Sequence, residues 1–263
     1  ILGGSGGQRG NARLRFDASN QVGAFDGNGD LLNPIDIEFQ SGSNRWNFLE
    51  LRSSTQEIGN ILAGSGSQGS VIQSWDGGYD SNQSNSLTRT DAATLIVNQA
   101  VDQGYAGYVR NAWRGQGELA LIKQGDAALT LSGPTNYTGD TTVGDGTLVF
   151  TRVTRSGNYQ IDSGAVLDFS VASGTRDMPV DMTFTGGGTL RKSGSGLLVW
   201  GARAATFDLD AGGWINIAGG TLVAGSWGNE NWDSNLGSLN IASGATFRSV
   251  EAEIRIDALT GGG

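Results

Sequence analysis

The chain has no histidine and no cysteine among its 263 residues. Without an imidazole there is no general base for a Ser–His–Asp or Cys–His mechanism, so proteases and esterases built on those arrangements are excluded. Without a thiol there is no disulfide, no thiolate nucleophile and no cysteine-ligated zinc. Basic residues are also scarce: 17 Lys and Arg stand against 26 Asp and Glu, a formal charge of −9. No run of Lys or Arg forms a basic stripe, so neither nucleic acid nor an anionic membrane is an expected partner. Long apolar runs are missing as well. Nothing approaches the roughly 18 residues of a membrane helix and no signal peptide is visible, so no membrane insertion is expected of this segment.

What is abundant is glycine. Forty-four residues are Gly and only 3 are Pro, against a usual Gly share of about 7%. An excess of Gly without Pro serves turns with positive φ and does not signal collagen or disorder. The clearest order lies between Leu119 and Phe150, LALIKQGDAALTLSGPTNYTGDTTVGDGTLVF. Three alternating apolar runs (Leu119 and Leu121, Leu129 and Leu131, Leu148 and Phe150) are parted by Gly, Asp, Asn and Thr. Each reads as a strand of a few residues between tight turns. Strands this short cannot bury a core alone, but copies stacked along one axis would place every leucine in a continuous interior column.

The run from Lys123 to Val149 resembles the autotransporter-associated β-strand repeat, whose usual form is close to KTGSGTLTLSGANTYTGGTTVNAGTLVV. Gly125, Leu129, Leu131, Ser132, Gly133, Asn136, Tyr137, Thr138, Gly139, Thr141, Thr142, Val143, Gly146, Thr147, Leu148 and Val149 fall on matching positions. Asp126-Ala127, Pro134 and Asp140 depart from it, all at turns. The resemblance implies an all-β, right-handed parallel β-helix, displayed on or released from a bacterial surface. The absence of cysteine suits a chain that crosses an outer membrane before folding, as that family does.

The pattern extends beyond the repeat. Gly164, Gly188, Gly196, Gly220 and Gly244 each open a short apolar run. The steps from 164 to 188, 196 to 220 and 220 to 244 are all 24, and the step from 188 to 196 is 8. A step of 8 inside a period of 24 fits about three faces per coil, and about 11 to 12 coils would make a rod on the order of 55 Å at roughly 4.8 Å per stacked strand. Lys123-Gln-Gly125 and Lys192-Ser-Gly194 stand at an offset of 69, near three coils, which gives both lysines a structural role at a coil edge. One solenoid over 1–263 is expected: less regular coils over 1–60, a projecting loop over 65–90, and the clearest repeat over 119–150. The pattern Leu-x-Gly-x-Gly at Ile1–Gly6, at Ile61–Gly66 and at Ala258–Gly263 suggests a unit excised from a longer array, or ends that abut in a polymer.

Sites are sparse. Asp36/Glu38, Asp208/Asp210 and Glu251/Glu253 alternate, so each pair shares one strand face, as a glycosidase or a lyase with Arg255 would need. The apolar residues between them favour a solvated outer face. Asp26, Asn28 and Asp30 begin a calcium-loop pattern, but Leu31 stands where the sharp-turn Gly belongs and Ile37 where the closing Glu belongs. No cofactor is expected, calcium being the one metal this turn would admit. Trp200 and Trp214 lie in strand patterns. Trp75, Tyr79, Trp113, Trp227 and Trp232 sit among Gly, Asn, Asp and Ser, the composition of a sugar platform or an interface anchor. The reading is therefore a non-enzymatic structural or adhesive module on a bacterial surface or outside the cell, assembling end to end with itself or with neighbouring solenoid repeats. The alternatives are a glycan-binding adhesin and, behind it, a β-helix polysaccharide lyase or hydrolase.

Overall fold

The computed structural model describes residues 12–16, 19, 24–25, 31–39, 46–52, 54–63, 69–74, 92–112, 117–200, 203–224, 230–249 and 253–263. Strands follow one another in a repeating cycle of three walls. The first wall is an eight-stranded sheet from Gln103–Tyr105 to Leu259–Gly261, and Ile61–Ala63 packs beside its first strand. The second wall is a five-stranded sheet from Ala12–Phe16 to Thr135–Asn136, followed by a four-stranded sheet from Thr175–Asp177 to Thr246–Arg248. The third is an eight-stranded sheet from Thr55–Ile58 to Glu230–Asn231. Nearly every pairing is parallel, as stacking of successive turns requires; the exception among the described residues is Ala24–Phe25 against Leu31–Asn33. The molecule is a parallel β-solenoid of about 8 turns.

The expected period of 24 is local. Leu167 pairs with Leu190, Ile215 with Leu239 and Thr221 with Thr246, but Leu129 pairs with Leu148 and Leu148 with Leu167, a step of only 19. At the other extreme Thr55 pairs with Thr94, a step of 39. The expected 11 to 12 coils are therefore too many, because turns as long as 39 residues leave fewer of them in the chain. Eight stacked strands span about 34 Å, not 55 Å. Within 65–90, read from sequence as a loop, Ser70–Ser74 is a fully buried strand of the second wall; residues 75–91 lie outside the described residues.

The interior is filled by columns running along the axis. On the first wall Leu129, Leu148, Leu167, Leu190, Ile215 and Leu239 are successive register partners, all buried. On the third wall the column is aromatic: the rings of Tyr159, Phe184 and Phe207 stack at 5.3 and 5.6 Å, and Trp232 stacks on Phe207 at 4.1 Å. Trp200 meets Phe169, Phe184 and Phe207 edge-on and donates its indole N–H to Met182 Sδ at 3.0 Å. Stacked and T-shaped pairs at these separations each add about 0.5–1.5 kcal/mol beyond area burial. Outside, Asn216 accepts from Asn240, which accepts in turn from Thr260, both at 2.9 Å, an amide and hydroxyl ladder between turns.

Candidate functional site

The two repeat-position lysines are buried, Lys123 at 0% and Lys192 at 2% exposure. Lys123 Nζ donates to Gly125 O at 2.7 Å and Asp145 O at 2.9 Å. Lys192 Nζ donates to Ser193 O and Gly194 O at 2.8 Å and to Gly219 O at 2.9 Å. Each therefore ties the corner of its own turn to the corner of the next. Burial lowers the Lys123 pKa to about 8, opposed by the fields of Asp145, Asp126 and Asp102; burial lowers that of Lys192 too, with Asp168 opposing. The two are not on one face as their offset in sequence implied. Lys123 is the penultimate residue of a strand of the third wall and Lys192 of a strand of the first.

A second buried polar group lies between the turns of the central repeat. Tyr137 and Thr141 hydroxyls are 2.8 Å apart, Thr141 donates to Ser156 Oγ at 3.0 Å, and Tyr159 donates to Thr154 Oγ1 at 3.3 Å. Ser156 Oγ donates to Gly139 O at 2.8 Å. Burial holds both phenols well above their ordinary pKa. These hydroxyls are neutral and consumed internally, which makes them mortar for the core. Sequence reading missed them because Thr141, Thr154 and Ser156 look like turn residues.

Of the aromatic residues singled out in the sequence, Trp232 is corrected. It is 1% exposed and part of the core stack, so it can contact no sugar or partner. Trp75, Tyr79, Trp113 and Trp227 lie outside the described residues, as do the calcium candidates Asp26, Asn28 and Asp30. Among the described residues no group of three or more His, Cys, Asp or Glu is placed to hold a metal. Two aromatic residues that do reach the surface were not flagged as binding candidates: Trp214, 37% exposed on the first wall, and Trp46. Trp46 is 43% exposed, with its ring 5.7 Å from Tyr108 and 6.5 Å from Phe48, residues of the second wall.

A cleft of about 380 Å³ lies at the corner between the third and first walls, lined by Pro34, Asp36, Gly59, Asn60, Asn98 and Asp126 among others. Its amides are largely committed: Asp36 Oδ1 accepts from Asn60 N at 2.7 Å and Nδ2 at 2.9 Å, and Asn98 Nδ2 donates to Glu57 at 2.6 Å. Among the described residues, the carboxylates of the first two pairs flank inward-pointing apolar residues. Ile37 and Leu209 point inward at 5% and 1% exposure, leaving their acidic neighbours on the outer face. Arg255 donates to Asp233 O at 2.6 Å, and Glu251 lies outside the described residues.

The geometry thus defines a class, a parallel β-solenoid whose buried polar groups hold turn to turn. Residues 121–150 match the family described as passenger-associated-transport-repeat, and they run through the third-, first- and second-wall strands of the central turn and return by way of the third wall to the first. No curated protein and no solved structure matches the chain.

Proposed function

We propose that the chain is a non-enzymatic passenger-type module, a stiff acidic rod carried on a bacterial outer surface or released from it, which associates end to end. The observation that carries this reading is the passenger-associated-transport-repeat at residues 121–150 embedded in a continuous parallel solenoid. Support for association comes from the last described strand of the first wall. Leu259 continues a column whose other members are at most 3% exposed, yet it is itself 65% exposed. Among the described residues its strand also has one unpaired edge, which accepts either a neighbouring solenoid repeat or another β-chain. The test is to express the chain upstream of an outer-membrane β-barrel translocator in a Gram-negative bacterium and probe intact cells with antibody and protease. A surface-exposed, protease-resistant rod is expected; retention inside the cell would overturn the surface assignment.

An adhesive role rests on a different observation, the exposed Trp46 tilted against Tyr108. Aromatic faces of this kind stack against sugar rings. A glycan array comparing the protein with Trp46→Ala tests it: signals that persist in the variant rule out this face as the glycan contact.

A further inference from the structure

The second wall is broken once. Its five-stranded sheet ends with a lone bridge from Thr135 to Thr154, and its four-stranded sheet begins at Thr175–Asp177. No ladder joins Thr154 to Thr175–Asp177 of the next turn, so the wall has a gap in its hydrogen bonding between two successive turns. Arg176 stands at the edge of that gap, in an unexpected slot. It is the register partner of Leu198, which pairs with Leu222, and both leucines are buried at 1% and 2%. Arg176 therefore occupies the inward position of an aliphatic column. Its Nη1 is buried and has no hydrogen-bond partner.

The charges around it make the absence sharper. Arg152 and Arg155 are exposed on the segment across the gap, and Arg152 acts on Arg176 as a like charge. Among the described residues, no carboxylate lies within ion-pair distance of Arg152 or Arg176. The Lys192 ammonium that faces the same interior is already committed to three carbonyls. The chain carries nine more acidic than basic residues, so two arginines within each other's field and without an acid run against its overall composition. A buried guanidinium N–H without an acceptor is costly, and a planar fork of donors matches an oxyanion.

We propose that the gap in the second wall is an oxyanion site, in which Arg176 from inside and Arg152 from the rim bind a sulfate, phosphate or carboxylate group. The wall supplies a fixed guanidinium and the gap gives the ligand its entry. The shared chemistry is the oxyanion, whether a free ion or a group on an acidic polysaccharide.

Calorimetric titration with sodium sulfate and sodium phosphate, at constant ionic strength in a chloride background, tests it. Four proteins are compared: the unaltered chain, Arg176→Leu, Arg152→Gln and Arg203→Gln, the last an exposed arginine away from the gap. Saturable binding is expected for the unaltered chain and Arg203→Gln, with at least tenfold weaker binding for the other two. Leucine is the residue of the neighbouring turns at that slot, so Arg176→Leu is expected to fold and, without added anion, to melt no lower than the unaltered chain. Should it fold poorly, Arg152→Gln carries the same comparison. Dextran sulfate against uncharged dextran then separates the sources: binding of the sulfated polymer as well as the ion assigns a polysaccharide, and binding of the ion alone assigns a small anion. Equal affinities across all four proteins, or equal losses in Arg203→Gln and Arg176→Leu, would overturn the site and leave only diffuse charge attraction.

Discussion

Lys123 shows how one side chain fastens two turns. Its stem lies in the interior while its ammonium satisfies carbonyls of two successive corners. Lys123→Met keeps the volume and removes the donors, leaving those carbonyls unpaired, so a loss of about 1–3 kcal/mol is expected by urea denaturation. The pH dependence has a definite sign. The folded pKa is depressed to about 8 from the ordinary 10.5, so between those values the unfolded chain holds a proton that the folded chain has released. Stability contributed by this residue therefore rises with pH across that window. Comparing urea midpoints of the unaltered chain and Lys123→Met from pH 7.5 to 10 checks it; a parallel pair of curves would show that the lysine does not titrate there. Glycines separate two other costs. Gly125 and Gly164 have φ of 78° and 89°, but a Cβ on Gly125 would sit 2.5 Å from Gln99 O, and one on Gly164 would meet nothing within 4 Å. Gly164→Ala should cost about 1–2 kcal/mol, the left-handed penalty alone, and Gly125→Ala clearly more.

At the scale of the element, short strands hold because columns couple them. Trp232 follows a strand of only two residues, Glu230–Asn231, yet it closes the aromatic stack of the third wall. Trp232→Ala should cost about 3–5 kcal/mol and remove a buried indole from the fluorescence spectrum; a loss under about 1 kcal/mol would mean the stack contributes little. That residue also marks the limit of sequence reading. Leu129, Leu131, Leu148 and Phe150 were legible because alternation over three or four residues separates inside from outside. Around Trp232 the neighbours are Asn, Glu and Asp and the strand is too short to show any alternation, so a core residue looked like a loop tip. The three-wall cycle could be read from the regular Gly spacings, whereas the number of turns could not, since the spacing of the regular half does not reveal how long the other turns are. Trp46 was missed for the opposite reason, because a Trp before the alternating run Phe48–Leu51 reads as part of a strand. Arg176 was invisible, since its meaning comes from the Leu198 beside it in space.

For the whole molecule, a stack of turns that touch only their neighbours has a stability that adds along the axis, so its ends open before its middle. The central turns, Leu119 to Ile161, have partners on both sides in all three walls up to the gap. The Leu259–Gly261 strand has one partner among the described residues, and all three of its residues are exposed. Among the described strands, amide hydrogen exchange should therefore be slowest at Leu121, Leu129 and Leu148 and fastest at Leu259 to Gly261 in dilute protein. Concentration makes the measurement informative about function. Another chain stacking on that end would cover the open edge, so protection at Leu239 and Leu259 should rise with protein concentration, while protection in the centre stays constant. Leu259→Asp places a charge in the column and should abolish that rise without changing the central amides. If protection at Leu259 is independent of concentration up to millimolar protein, the exposed leucine is not an assembly contact. The end-to-end reading then falls, and the surface-displayed rod stands without it.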